Sequence, residues 1–402
     1  MRKALSGRDR KLVIGVTVGA SAFSLLRGQL EWFRESGWDV TLVSTPDEVA
    51  KKAAEREGVP LVGIRMNRRI SPVKDVVALR NWIRLLRTSR PTAVNVGTPK
   101  AALLGMLAAW SVRVPHRLYV VRGLRLEGTS GPLSWLLWCM EKLTMQLATD
   151  VLYVSRSLAQ EASRRHLFSE NKAWLVGSGS SNGVNAQAIL SRVESVDRTV
   201  LRNELGLESG DFVAGFVGRV TRDKGVDTLL NALRDPRIDN NVRGLLIGSI
   251  EDPSLAEEIK SLGSRITYLP WTDDVWGHLP AMDVLCLPTL REGFPNVVLE
   301  AAAAGVPTIA TRATGAIDSV VPGVTGMLIE VGDHHALVDR LNELCSDRSL
   351  GCRLGRAASQ RVFEEYTQER IWEGLAEILT ANPSPQHAIR AVEELKAAKV
   401  VI

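Results

Sequence analysis

The chain has 402 residues, 45% of them hydrophobic, which suits two domains with sizeable cores rather than one. A net charge of +5 conceals an asymmetry: residues 1–190 carry 28 Lys/Arg against 14 Asp/Glu, and the remainder 22 against 31. Four cysteines (Cys139, Cys286, Cys345, Cys352) fall in no metal-binding spacing, which argues against a zinc or disulfide scaffold and fits a reduced cytoplasmic compartment. The basic first half calls for an anionic partner. Nucleic acid is not expected, because aromatics do not interleave with the basic runs as a stacking platform requires. No secretory signal is visible, and the uncharged runs at 101–112 and 128–140 are too short to span a bilayer.

In chain order, residues 12–18 read as a buried strand leading into the turn Gly19-Ala20-Ser21. An amphipathic helix over 23–36, a strand over 40–44, a charged helix over 46–58 and a strand over 61–64 follow. Eight basic residues fall between Arg65 and Arg90, with Trp82, Ile83, Leu85 and Leu86 among the last of them. Such a helix suits an anionic lipid surface, and equally a surface helix whose apolar face is core. Strands at 93–96 and 117–121 bracket the loop Gly97-Thr98-Pro99-Lys100 and a helix of small residues. The second of these strands leads into Arg122-Gly123. Residues 133–147 form an apolar helix with Trp135 and Trp138, either core or a membrane-facing wedge, with core expected. Strands at 151–155 and 173–176 complete this half, and the charged stretch 191–211 reads as a linker.

The second half repeats the rhythm, with strands at 212–217, 244–247, 266–269, 284–287, 306–310 and 327–330. This alternation predicts a second doubly wound parallel sheet. Residues 362–379 read as one long helix broken by Pro383 and Pro385, with a short tail helix over 387–400. Two loops carry chemistry. In GFVGRVTRDKG, residues 215–225, Gly218 permits a close turn, and Arg219 and Lys224 suit a diphosphate, one as a fork and the other as a point charge. In the stretch 288–326, the loop Glu292-Gly293-Phe294-Pro295 leads to Asn296, a good N-cap, and a helix over 297–304. Free N–H groups and the helix dipole there make an anion site, framed by Glu292 and Glu300. Trp271 follows the 266–269 strand, either near a bound base or in the core. There is no Cys–His pairing, H-E-x-x-H or D-x-D, so neither a metal nor a cofactor is expected. No G-x-G-x-x-G follows the first strand, which argues against a dinucleotide enzyme.

Together, GFVGRVTRDKG and the E-x7-E segment from Glu292 to Glu300 resemble the C-terminal domain of retaining family-four glycosyltransferases of the GT-B fold. SLLRGQLEWFRESGWDVTLVS (24–44) and GSGSSNGVN (177–185) look like parts of their N-terminal domain and of the segment leading to their linker. The stretch 98–128, TPKAALLGMLAAWSVRVPHRLYVVRGLRLEG, is similar to the bacterial branch that builds capsular and O-antigen polysaccharide on a polyprenyl-diphosphate carrier. The resemblance covers roughly residues 11–380. It implies an α/β fold of two facing Rossmann-like domains with doubly wound parallel sheets. The N-terminal acceptor domain would span 1–190, with 362–402 packing back onto it. The nucleotide-sugar domain would span 191–361.

The implied activity is retaining transfer of a sugar from a UDP-sugar to a lipid-linked saccharide, on the cytoplasmic face of the plasma membrane. The implied partners are the nucleotide-sugar, the lipid-linked acceptor and the anionic membrane surface, on which the enzyme docks without spanning it. Arg219 and Lys224 would neutralise the departing nucleoside diphosphate near Gly218, helped by N–H groups from Asn296 through Val297 to Val298. Glu292, with Gly293, Phe294 and Pro295, would hold the donor sugar, and Glu300 the ribose hydroxyls. Gly19 would lie over the donor phosphates. Much of the family has His-Gly where this chain has Arg122-Gly123. Arg cannot act as a base, but it can contact a sugar hydroxyl or a phosphate. The alternatives are a soluble acceptor, a sugar-nucleotide epimerase of the same fold, or a non-catalytic nucleotide-sugar-binding subunit.

Overall fold

The computed structural model of the protein describes residues 10–67, 70–380 and 388–391. The chain divides into two compact units, Met1–Gly183 with Gln368–Ile402, and Val184–Thr367. The divisions thus fall at 183/184 and 367/368, where 190/191 and 361/362 were expected.

The first unit begins with β1 (Lys11–Gly15), α1 (Gly19–Leu25), α2 (Gln29–Glu35), β2 (Asp39–Ser44), α3 (Glu48–Glu57) and β3 (Leu61–Gly63). It continues with α4 (Pro72–Ser89), β4 (Ala93–Val96), α5 (Pro99–Ser111), β5 (His116–Val121), α6 (Gly131–Leu147), β6 (Asp150–Tyr153), α7 (Arg156–Arg164) and β7 (Ala173–Val176). Its strands β4, β6 and β7 are buried along their whole length, as expected of parallel strands covered on both faces.

The second unit holds α8 (Ala186–Glu194), α9 (Arg198–Glu204), β8 (Phe212–Val217), α10 (Val226–Arg234), β9 (Val242–Ile247), α11 (Pro253–Lys260) and β10 (Ile266–Leu269). Then come β11 (Val284–Leu287), α12 (Asn296–Ala303), β12 (Thr308–Thr311), α13 (Ala316–Ser319), β13 (Gly326–Ile329), α14 (His334–Ser346) and α15 (Arg348–Glu365). Its six strands are ordered β10-β9-β8-β11-β12-β13 and all pair in parallel. The chain then returns to the first unit with α16 (Gln368–Leu379) and β14 (Ala388–Arg390). The first sheet runs β14-β7-β6-β5-β4-β1-β2-β3, with β14 alone antiparallel. Two α/β units with parallel sheets were expected, and two are found.

Several local expectations give way. The helix over 23–36 is two helices, because Gly28 turns left-handed at φ 77° and a Cβ there would lie 2.8 Å from the Trp372 ring. The turn Gly19-Ala20-Ser21 is the first turn of α1. The linker at 191–211 is largely helical: Asn185 and Asp197 cap α8 and α9 with their side chains. The long helix over 362–379 is interrupted at Tyr366-Thr367, where the chain leaves the second unit. The tail helix over 387–400 meets strand β14 at 388–390, and residues 387 and 392–400 lie outside the described residues. The α6 helix, expected to be core, buries only Thr144 and Met145. The α4 helix has its apolar face in the core, as the second reading of its region expects. Ala78, Trp82 and Leu86 are buried at four-residue spacing, while Arg80, Arg84 and Arg87 are exposed. Arg68 and Arg69 lie outside the described residues.

Candidate active site

In open parallel sheets, ligands bind beyond the carboxyl ends of the strands, where the strand order reverses. In the second unit β8 lies between β9 and β11, so the reversal falls between the loops that follow β8 and β11. These are the two loops that carry the candidate residues.

The loop after β8 leaves the sheet at Gly218, makes a 3-10 turn over Arg222–Lys224, and enters α10 through Gly225. Gly225 has φ 69°, and a Cβ there would stand 1.7 Å from the Pro288 carbonyl oxygen. Only glycine allows the two loops to close to this distance. The Asp223 carbonyl accepts the Leu290 N–H at 3.1 Å and the Thr289 hydroxyl at 3.3 Å. Lys224 Nζ forms an ion pair with Glu292, their side chains 22% and 14% exposed. The Glu292 N–H in turn donates to the Thr314 carbonyl at 2.8 Å.

Both predicted cations are therefore partnered. Arg219 Nη1 lies 2.8 Å from Glu251 Oε2, its Nη2 lies 3.5 Å from Asp223 Oδ2, and its side chain is half exposed. Burial works against the Asp223 carboxylate, but the Thr221 hydroxyl and the charges of Arg219, Lys224 and Arg291 hold it below its usual range. A diphosphate bound there would have to draw Arg219 away from two carboxylates. For an exposed pair this is cheap, since such pairs contribute roughly 0.2–1 kcal/mol. Asp223, Glu251, Thr289 and Thr314 went unread in the sequence. Asp223 lies inside the R-D-K triplet, and the other three carry no local signal.

The α12 helix starts one residue earlier than expected. Pro295 holds the N-cap position, with no side-chain cap, and its carbonyl accepts the Val298 N–H at 3.1 Å. Asn296 is thus the first helical residue rather than the cap. A helix's first turn carries N–H groups with no intrahelical acceptor, and here that turn follows the loop holding Glu292. Gly293, Phe294 and Pro295 are buried, and the Phe294 ring packs 5.4 Å from Tyr366. Val297 and Glu300 are half-buried on α12. Trp271 is 62% exposed, which removes it from the core. Among the described residues, the cluster with metal-ligand spacing is Asp235, His334 and His335. Arg237 Nη2 already sits on that carboxylate at 2.9 Å.

Two candidates lie in the first unit. Gly19 is buried against the start of α3: its N–H donates to Asp47 Oδ2 at 3.2 Å, and a Cβ would lie 2.0 Å from Asp47 Oδ1. Close packing of α1 on α3 therefore gives Gly19 a structural reason of its own. Arg122 follows β5 and lies against Gly97, at the carboxyl end of β4, where a Cβ would stand 2.8 Å from Nη1. Its Nε and Nη1 are shut from solvent and have no hydrogen-bond partner among the described residues. Burial lowers its pKa to about 10, so it stays charged at neutral pH. A desolvated guanidinium with unused donors is suited to a phosphate or sugar oxygen. Nearby in sequence, Tyr119 on β5 donates a hydrogen bond to Glu141 on α6. Burial pushes the Glu141 carboxyl up to about 7, and that hydrogen bond opposes the rise.

Comparisons with known proteins bear on this geometry. Residues 211–347 match the family model of glycosyl transferases group 1, and residues 25–178 that of the glycosyl transferase 4-like domain. The Staphylococcus aureus capsular polysaccharide biosynthesis glycosyltransferase CapM is 36% identical over 374 residues, 92% of this chain and 96% of its own length. An Escherichia coli UDP-Gal:alpha-D-GlcNAc-diphosphoundecaprenol alpha-1,3-galactosyltransferase is 26% identical over 290 residues, 70% of this chain and 74% of its own. Among solved structures, Anabaena HepE in complex with UDP-glucose aligns with TM-score 0.77 at 20% identity, covering 92% of this chain and 99% of its own. WaaG, a glycosyltransferase involved in lipopolysaccharide biosynthesis, aligns with TM-score 0.70 at 15% identity, covering 92% and 99%. At these identities the two structures speak for the fold.

Proposed function

The chain belongs to the family-four glycosyltransferases of the GT-B fold, and from that premise we propose that it moves a sugar from a UDP-sugar to a polyprenyl-diphosphate-linked saccharide in capsular polysaccharide assembly. The observation that carries the reading is the meeting of Lys224 and Glu292 across the two loops at the strand-order reversal of the second unit. A cation suited to a leaving diphosphate and a carboxylate suited to sugar hydroxyls stand side by side there. The S. aureus relative supports the capsular setting, and the E. coli relative supports a UDP donor and a lipid-diphosphate acceptor. Family membership favours a transferase over an epimerase or a silent binding subunit.

In this reading Arg219 and Lys224 neutralise the diphosphate, and the first turn of α12 adds its N–H field. Charge stabilisation of this kind is often the largest catalytic contribution. Glu292 holds the donor sugar, and Glu300 accepts hydrogen bonds from the ribose. Arg122 contacts a phosphate or sugar oxygen in place of the family's histidine. Configuration is retained by front-face substitution. The acceptor hydroxyl oxygen bonds to the anomeric carbon as the bond to the diphosphate oxygen breaks, and that oxygen takes the acceptor's proton. The basic first half favours an acceptor held at an anionic membrane on its cytoplasmic side. Among the described residues, no helix is long and apolar enough to cross a membrane.

The test is incubation of purified protein with radiolabelled UDP-sugars and membranes bearing lipid-diphosphate saccharides. The expected result is label from one donor in the lipid fraction, in an α-linkage. Label confined to water-soluble products would favour a soluble acceptor. Transfer from no donor, by folded protein, would overturn the reading.

A further inference from the structure

The amino-terminal edge of the second sheet holds a cavity of about 250 Å³. It is lined by Phe212, Met282 and Pro307, at or just before the starts of β8, β11 and β12, and by Leu344 of α14 and Gly351 of α15. The candidate loops that carry Arg219, Lys224 and Glu292 follow the opposite ends of β8 and β11. The β8 strand, Phe212–Val217, separates the two places by about 20 Å at ~3.3 Å per residue. An apolar cavity of about 150 Å³ takes a benzene ring, so this one has room for a ring and a small polar group.

Charge at the cavity is uneven. Asp283, the residue before β11, gathers three arginines. Arg202 Nη2 lies 2.7 Å from its Oδ2, Arg348 Nη1 3.2 Å from the same oxygen, and Arg198 Nη2 2.7 Å from Oδ1. The Val213 N–H also donates to Oδ2, at 2.7 Å. The Arg202 and Asp283 side chains are 9% and 13% exposed, and Arg202 spends its remaining reach on the Ala281 and Asp211 carbonyls. That pair is closed and neutral, since a buried carboxylate needs its cation beside it. Arg198 and Arg348, their side chains 50% and 43% exposed, are surplus to it, and both line the cavity. Asp197 and Asp347, which precede them, cap α9 and α15 with their carboxylates and do not line it. The Arg348 guanidinium stands 4.7 Å from the Phe212 ring centroid, so cation and apolar wall adjoin.

We propose that this cavity binds a small phosphate monoester with a compact apolar body, the body against Phe212, Met282 and Leu344 and the phosphate on Arg198 and Arg348. The two surplus cations choose the anion. A phosphate monoester carries about −1.5 to −2 charges at neutral pH and three acceptor oxygens. A carboxylate brings one charge, and would stand beside the carboxylate of Asp283. The site goes beyond the proposed function, which concerns the opposite edge of the same sheet, and its occupancy is measured without donor or acceptor.

The probe is phenyl phosphate, titrated into the full chain by calorimetry. It should bind at one site, with inorganic phosphate and phenol each at least tenfold weaker. Arg198→Met should weaken phenyl phosphate at least tenfold. So should Gly351→Leu, which fills the cavity and removes no charge; a Cβ there meets Leu344 only at 4.0 Å, so the helix accepts it. Arg219→Ala, at the other edge, should bind as the native chain does. Cys352 is exposed and lines the cavity, so saturating phenyl phosphate should slow its alkylation, read by mass spectrometry of its peptide. No binding by the native chain would overturn the proposal. Inorganic phosphate binding as tightly as phenyl phosphate would do so too, since the apolar wall would then contribute nothing. Undiminished binding by folded Arg198→Met, or unchanged alkylation of Cys352 at saturation, would place the ligand elsewhere and equally overturn it.

Discussion

Replacing Lys224 by Met removes one half of an ion pair and leaves Glu292, only 14% exposed, without its cation. Removing one partner of a fully buried pair costs about 3–5 kcal/mol, while exposed pairs contribute about 0.2–1 kcal/mol. With side chains 22% and 14% exposed, this pair lies between, and a loss of about 2 kcal/mol of stability is expected. Glu292→Gln should cost less, because an ammonium on a flexible stem reaches water more easily than a carboxylate fixed in a loop. The double variant should cost less than the sum, since neither charge is then stranded. Urea unfolding of the four proteins measures the coupling.

Turnover separates two roles that stability cannot. If Lys224 only anchors Glu292, the double variant should turn over as fast as Glu292→Gln alone. If Lys224 also meets the leaving diphosphate, the double variant should be slower still. A lost charged hydrogen bond of about 1.5–3 kcal/mol corresponds to roughly 10- to 150-fold in kcat. Equal turnover of the double variant and Glu292→Gln, both folded, would refute the assignment of Lys224 to the diphosphate.

Four further outcomes are expected. Arg219→Ala should change stability by no more than about 0.5 kcal/mol, because both of its ion pairs are solvent-exposed, yet raise the donor KM and lower kcat in initial-rate assays. Gly225→Ala should lower the urea midpoint and, if the proposed site is right, nearly abolish transfer, since a Cβ 1.7 Å from the Pro288 carbonyl forces the two candidate loops apart. Arg122→Met should leave stability unchanged or raised, because it removes a desolvated charge with unused donors, while kcat/KM falls at least tenfold. Glu141, held near 7 against about 4.3 in the unfolded chain, binds its proton more tightly when folded. Its stabilising contribution is therefore complete below about pH 4.3 and is lost as pH rises through about 7, on the order of 3–4 kcal/mol in all. Glu141→Gln should flatten the dependence of Tm on pH between 5 and 8.

The sheets were legible because their signal is local. Runs such as AVNV and VLCL are short, apolar and bounded by turn residues, and a parallel strand buried on both faces needs nothing else. The helix breaks were not legible. Gly28 sits in a helical pattern, and what fixes its left-handed turn is the Trp372 ring, contributed by α16 from the far end of the chain. Cap residues at and before the 191–211 stretch could have been read: Asn185 and Asp197 each stand just before a helix that the charge of the region concealed. Apolar character alone also misplaced α6, since hydropathy gives a preference for burial and not the identity of what covers a face.

The site divides along the same line. Residue type placed Arg219, Lys224 and Glu292 in two loops and Glu300 on the helix after the second, because βα loops at the carboxyl edge of a parallel sheet are where ligands meet charge. Pairing is a tertiary property, and Lys224 meets Glu292 across 68 positions of sequence. Once paired, the two charges neutralise each other before any ligand arrives, so the cationic field that the sequence suggests is partly cancelled at rest. A diphosphate entering there does not find a ready-made positive well. It must exchange protein carboxylates for its own oxygens, drawing Arg219 from Glu251 and Asp223 and sharing Lys224 with Glu292. An exchange of this kind gives little affinity to an arbitrary anion, because each gained contact is offset by a lost one. The net gain grows only for a ligand that also gives Glu292 something to hold. In the proposed function, a sugar hydroxyl attached to the same diphosphate would do that, so the pair would discriminate a nucleotide-sugar from the nucleoside diphosphate that remains after transfer, and product release would be eased as Glu292 reclaims Lys224.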